Sequence, residues 1–335
     1  MMKKLSKFYC ILFGLILIFF TACNSDNKQT FQQIISVRCD TLKIDNTKDT
    51  LIFGQKGTAL FFEKESFQLP DGNTPAGKIS ILLKECYSTL DIIGENLSTT
   101  ADGKLLETRG MINVTAFSNN QELKLKKGSK FIVHFHKDTS EREKQMNLFY
   151  GNATANGTTN WKLDSATLLK PAVPVSVPVT SGSRDTLQNN AGFDSKIFNQ
   201  KYSAFKKSAI TSMDELELNY YIFSATKLGW INCDFFWEVT DEKIDYYVKC
   251  NVKLKANINI VFKQAKSIMR GIPEGDKIVF RNAPINQEIK IVAIAFEGNK
   301  PLMAVTNTKT GKRIFDKLTY KPFTLNDLEK EINNP

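Results

Sequence analysis

The chain has 335 residues, 42% hydrophobic and 24% charged, enough for two domains with cores of their own. Its formal charge of +10 falls to +7 if Lys3, Lys4 and Lys7 leave with an N-terminal leader, and Lys43, Lys48, Lys124, Lys126, Lys253 and Lys255 are scattered along alternating segments. No basic block forms, which excludes the footprint of a nucleic-acid-binding protein.

The first predicted element is that leader. Lys3, Lys4 and Lys7 give a basic start, residues 9–20 are almost wholly apolar, and Thr21-Ala22 place small residues before Cys23. These are the three regions of a secretory signal, and the apolar run is short for a permanent span, which needs roughly 20 residues. Phe20-Thr21-Ala22-Cys23 resembles the lipobox of bacterial lipoproteins, with Phe20 where Leu is usual. The resemblance implies a signal peptide over residues 1–22, cleavage before Cys23, and acyl chains on the Cys23 thiol and new amine. Residues 23–37 then read as a polar, lipidated tether. Asn24 is not the Asp that would favour inner-membrane retention, and Asp26 alone represents the acidic run that marks surface export in Bacteroidota-like lipoproteins. The expected location is therefore the outer membrane, facing the periplasm or the cell surface.

Residues 38–168 carry short alternating runs at 49–53, 58–63, 78–83, 110–117 and 130–136, separated by turn residues such as Pro70-Asp71-Gly72-Asn73 and Asn119-Asn120. That pattern predicts an antiparallel β-sandwich with no helix of useful length. Gly57-Thr58-Ala59-Leu60-Phe61-Phe62, Phe67 and Gly77-Lys78-Ile79-Ser80-Ile81 are similar to the start of a ZU-five-type β-sandwich, with Glu63 where a Pro is expected. Leu106-Glu107-Thr108-Arg109-Gly110-Met111-Ile112, followed by Ala116-Phe117, resembles a segment of uncharacterised Bacteroidota lipoproteins that usually has Gly in place of Arg109. Together these resemblances imply fold and location and bring no catalytic residues.

Over residues 169–192 the composition shifts to Pro171, Pro174 and Pro178 alternating with Val and Ala, then to a polar stretch. This reads as an extended linker and domain boundary, or alternatively as an edge strand closing the first sheet. Phe193, Ile197, Phe198, Tyr202 and Phe205 recur at helical spacing, predicting a short amphipathic helix that opens the second domain and caps a sheet. Its Lys196, Lys201, Lys206 and Lys207 would also suit a membrane interface.

Residues 193–335 otherwise read as a second sandwich, with seven strand-length runs from 220 to 306. In the run 229–237 the two-residue alternation puts Ile231, Cys233 and Phe235 on a core face and Trp230, Asn232 and Asp234 on the other. "LGWINCD" resembles the same Bacteroidota lipoprotein group, and Asn282-Ala283-Pro284 followed by residues 288–296 is weakly similar to the ending of transthyretin-like sandwiches. The fold class expected is all-β, two antiparallel sandwiches behind a lipoprotein signal.

Candidate chemistry is sparse. His134 and His136 share a strand face, as two imidazoles on one metal would, with Glu107 or Glu85 as a third ligand; strand faces also carry such histidines with no metal. Cys39, Cys86, Cys233 and Cys250 lack metal-type spacing, so Cys233 and Cys250 are candidates either for a disulfide between neighbouring strands or for buried thiols. A Cys233 nucleophile has no histidine in its own domain to activate it. Trp230, Phe236 and Trp237 could form a sugar platform or cover a sheet face. Thr41, Thr50, Ser165 and Thr186 follow Asp and precede an apolar residue, the acceptor pattern for O-glycosylation in Bacteroidota, which is also common turn composition.

The function these residues point to is a non-enzymatic binding or assembly component of the envelope. Its expected partners are the membrane through the lipid, envelope proteins or glycans, and no nucleic acid; no cofactor is implied. The competing expectation is an accessory carbohydrate-active or peptide-processing enzyme. The open face of Trp230, Asn232 and Asp234 is the candidate ligand surface, because a ring beside an amide and a carboxylate can stack on and hydrogen-bond a sugar or peptide.

Overall fold

The computed structural model describes residues 35–136, 146–154, 158–164, 220–251 and 253–334. These are mostly strand, arranged in antiparallel sheets with no closed barrel, so the fold is all-β. In chain order the first strands are β1 (Cys39–Asp45), β2 (Thr50–Phe53), β3 (Ala59–Phe62), β4 (Phe67–Gln68) and β5 (Lys78–Cys86). Helix α1 (Thr89–Gly94) follows, then β6 (Thr100–Ala101), β7 (Lys104–Ser118), β8 (Gln121–Glu122), β9 (Lys124–Leu125) and β10 (Phe131–His136). Beyond these lie β11 (Asn147–Ala153), β12 (Thr159–Leu163), β13 (Tyr220–Ala225) and β14 (Gly229–Phe236).

Their pairing builds one sandwich. The larger sheet runs β1-β5-β7-β14-β11-β12 and faces a smaller sheet β13-β10-β3-β2. Because side chains alternate along a strand, Ile79, Ile81 and Leu83 of β5, Ile112, Val114 and Ala116 of β7, and Ile231 and Cys233 of β14 all point inward. They meet Leu60, Phe62, Val133, Phe135 and Phe223 of the smaller sheet, and Phe62 stacks on Phe131 at 5.0 Å between centroids. Each of the Val, Leu, Ile and Phe side chains stabilises the fold by about 1.5–3 kcal/mol relative to exposure.

The second group of strands is β15 (Lys243–Lys249), β16 (Asn257–Phe262), β17 (Ile268–Arg270), β18 (Ile272–Glu274) and β19 (Lys277–Pro284), continuing with β20 (Glu288–Glu297), β21 (Lys300–Lys309) and β22 (Lys321–Pro322). Sheet β15-β19-β18 covers sheet β17-β16-β20-β21-β22, with Tyr246, Val248, Ile258, Ile260, Phe280, Ile289 and Ile291 between them. Helix α2 (Leu325–Asn333) closes the described chain.

The domain assignment expected from sequence is corrected here. Strands β13 and β14 were expected in the second sandwich, but β13 pairs with β10 and β14 lies between β7 and β11, so both complete the first. The cause is non-local pairing, which alternation within one strand cannot report. A third core then joins the halves. Cys86, Leu106, Met111, Phe149 and Trp161 on the outer face of the large sheet pack with Ile268, Val292, Ile294 and Met303 of the second sandwich, with α1 and α2 sealing the margin through Ile92, Ile93, Leu328 and Ile332. These four sheets thus enclose three cores, and β4 and β9 pair as a separate two-stranded sheet. The expected linker over 169–192 and the helix over 193–205 lie outside the described residues, as do the leader and nearly all of the tether.

Candidate functional site

The nominated face of β14 lies at the third core. Trp230 is half-buried against that core, and Asn232 and Asp234 are both 0% exposed. The expectation of an open ligand face is therefore corrected: the second sandwich covers it. Residues 263–268, the hairpin between β16 and β17, cross over this face, and the Thr108 amide donates to the Lys266 carbonyl at 3.1 Å. Beside it the Thr99 amide donates to the Ile268 carbonyl at 2.9 Å, and the Ile268 amide returns a bond to Thr99 Oγ1 at 2.7 Å.

A β-bulge sets the geometry. Cys233 sits opposite Gly110 and Asp234 opposite Thr108, so Arg109 is the extra residue on β7. Gly110 has φ +147°, and a Cβ there would lie 2.5 Å from the Tyr87 ring, so the bulge requires glycine for conformation and for space. The bulge also separates two groups of polar side chains. On one face the Arg109 guanidinium lies 5.3 Å from the Phe235 ring centroid, and its Nη1 donates to Glu107 Oε1 at 3.1 Å and to the Thr108 carbonyl at 3.2 Å. On the other, Asn232 Nδ2 donates to Asp234 Oδ2 at 2.5 Å, Thr108 Oγ1 donates to Asn232 Oδ1 at 3.2 Å, and the Gly110 amide donates to Thr108 Oγ1 at 3.1 Å.

Asp234 Oδ1 is buried with no hydrogen-bond partner among the described residues. Burial disfavours the carboxylate and pushes the Asp234 pKa up to about 7, although Thr108, Asn232, Arg109 and Lys266 pull it back. A buried carboxyl whose acidity is weakened this far suits a protonatable structural group better than a cation ligand.

A second polar group closes the near end of the first sandwich. Glu85 is buried, and its two oxygens accept the amides of Lys56 and Thr58 at 2.8 Å each, while Asp40 Oδ2 accepts the Gln55 amide at 3.0 Å. The Thr58 and Tyr87 hydroxyls are 2.8 Å apart, and burial raises the Tyr87 pKa. Glu85 thus satisfies the turn between β2 and β3, a role that sequence reasoning did not assign to it.

The metal site expected at His134 and His136 does not assemble. His134 is 1% exposed and held neutral, its pKa lowered to about 3 by burial, whereas His136 is exposed at the strand end. The suggested third ligands are committed elsewhere, Glu85 to backbone amides and Glu107 to Arg109. No group of three or more metal-type side chains occurs among the described residues.

The expected Cys233–Cys250 disulfide is also corrected. Both are thiols, Cys233 inside the first core and Cys250 packed against the second sandwich's core, because β14 belongs to the first sandwich. The sugar platform fares likewise: Phe236 packs edge-on to Phe149 at 5.6 Å and Trp237 edge-on to Phe262 at 5.0 Å, both part of cores. Thr41 is exposed on edge strand β1, Thr50 is half-buried with its hydroxyl on the Lys48 carbonyl, and Ser165 and Thr186 lie outside the described residues. Cys23 lies outside them too.

What sequence reasoning missed was the company Asp234 keeps: Thr108, Arg109 and Lys266. Gly110 inside an otherwise regular strand was the available signal, since an interior glycine often marks a bulge. The comparisons with protein-family models, with curated proteins and with solved structures find no match for the chain.

Proposed function

We propose that the protein is a lipid-anchored component of the outer envelope that binds or assembles partners and performs no catalysis of its own. The observation that carries this reading is the leader: three lysines, an apolar run too short to span, and Thr21-Ala22 directly before Cys23. With Cys23 acylated and its amine modified, two or more chains would supply stable anchoring where a single one is marginal. The described fold starts at Ile35, whose carbonyl packs against Gly94 of α1, and the Val37 amide donates to Glu95 Oε1 at 2.9 Å. Residues 24–34 can therefore hold the sandwiches no more than roughly 40 Å from the lipid.

The reading also draws on how the polar residues are spent. Asn232, Asp234, Thr108 and Glu85 are used to join strands and sandwiches, which suits a rigid body that presents surfaces. Envelope proteins or glycans are the partners such a body would meet. Cys23→Ala should abolish incorporation of a fatty-acid probe and leave either an uncleaved precursor or a protein released from membranes. Probe incorporation undiminished in Cys23→Ala would overturn the reading.

A further inference from the structure

We propose that Asp234 is a proton-operated latch between the two sandwiches: in its neutral form it lets residues 263–268 lie closed over β7 and β14, and on losing its proton it loosens that junction. The geometry places Asp234 beneath this hairpin with 0% exposure, hydrogen-bonded through one oxygen only. Around it are Asn232 on its own strand, Thr108 across the pair, Lys266 on the covering hairpin and Asn147 opposite it on β11, with Arg109 and its partner Glu107 across the bulge on the other face. Two cations, Arg109 and Lys266, thus act on the carboxyl. Their net attraction for a carboxylate is outweighed by burial, which holds the pKa near 7 rather than 3.8.

The covering hairpin is held over this spot by the amides of Thr108 and Thr99 and by the Ile268 amide, and lifting it would return Asp234 to water and to its ordinary acidity. Opening then releases one proton between those two pKa values, so each unit of pH should multiply the open population about tenfold. The device is independent of the anchoring proposed above. It would make the relative mobility of the sandwiches respond to pH near neutrality.

Hydrogen exchange of the full-length protein in detergent, corrected for intrinsic rates, tests this. Peptides spanning 97–109 and 263–270 should show an opening constant that rises about tenfold per unit from pH 5 to pH 7 and then levels. In Asp234→Asn the same peptides should show no such slope. Three results would overturn the latch: a flat opening constant in the unaltered protein, an undiminished slope in Asp234→Asn, or the same slope in peptides spanning 59–62 and 131–135, which would mean that the slope does not belong to this junction. The last comparison needs no variant, so the proposal stands or falls even if Asp234→Asn does not fold.

Discussion

Two buried titratable residues oppose one another in their effect on stability. His134, whose pKa is lowered to about 3, stays neutral in the fold while an unfolded chain would take up a proton below about 6.5. Its contribution is fully present above pH 6.5 and is lost as pH falls toward 3. Asp234, whose pKa is raised to about 7, keeps its proton in the fold while an unfolded chain would release it above about 4. Its contribution is fully present below pH 4 and is lost as pH rises toward 7. Between pH 4 and 6.5 the two slopes cancel, each being at most about 1.4 kcal/mol per pH unit. Urea midpoints at pH 4.5, 5.5 and 6.5 should therefore change little in the unaltered protein, rise with pH in Asp234→Asn, and fall with pH in His134→Gln. Parallel profiles for all three proteins would contradict these assignments. Neither shift was legible in the sequence. Alternation placed Asp234 correctly on a face with Trp230 and Asn232, but what covers that face comes from residues 263–268, about thirty positions on and in the other sandwich.

At the scale of elements, α2 shows how a short helix is held at both ends. Thr324 and Asp327 form a capping box at its start, where the side chain of each accepts the backbone amide of the other. At its end Lys290, a mostly buried residue of β20, donates to the carbonyls of Glu331 at 2.8 Å, Ile332 at 2.7 Å and Asn334. Three carbonyls that a helix terminus leaves unpaired are thereby satisfied by one ammonium. Lys290→Met would leave the buried Ile332 carbonyl, and the part-buried ones beside it, without this donor, at a cost of about 1–3 kcal/mol, and the helix should fray from the third core. Carboxypeptidase should then trim the chain end well beyond the extent seen in the unaltered protein, past Leu328. Equal trimming of both would show that Lys290 does not secure the helix. From sequence, residues 325–333 carried no expectation, because the helix is too short for a helical period to declare itself and its anchor lies on a distant strand.

For the whole molecule, the strands were legible and their partners were not. Ile79, Ile81 and Leu83, or Ile112, Val114 and Ala116, declare a core face by spacing alone. The placement of β14 between β7 and β11 depends on contacts more than eighty residues apart on one side and more than a hundred on the other, for which a single sequence offers no local signal. The consequence is a fold that does not divide at the Pro-Val stretch. A fragment of residues 38–168 lacks β13 and β14, leaving β7 and β11 of the large sheet without the strand that joins them. It should give no cooperative urea transition, and a sigmoidal transition with a native-like β spectrum would restore two separable domains.

The claim on which the functional account depends is anchoring at Cys23, and the mass of the mature N-terminus tests it most directly. Protein purified from membranes and digested should yield an N-terminal peptide that begins at Cys23 and carries a diacylglyceryl group on the thiol together with an acyl chain on the amine. An N-terminal peptide that begins at Met1 or at any residue other than Cys23, or one that begins at Cys23 with an unmodified thiol, would contradict the account.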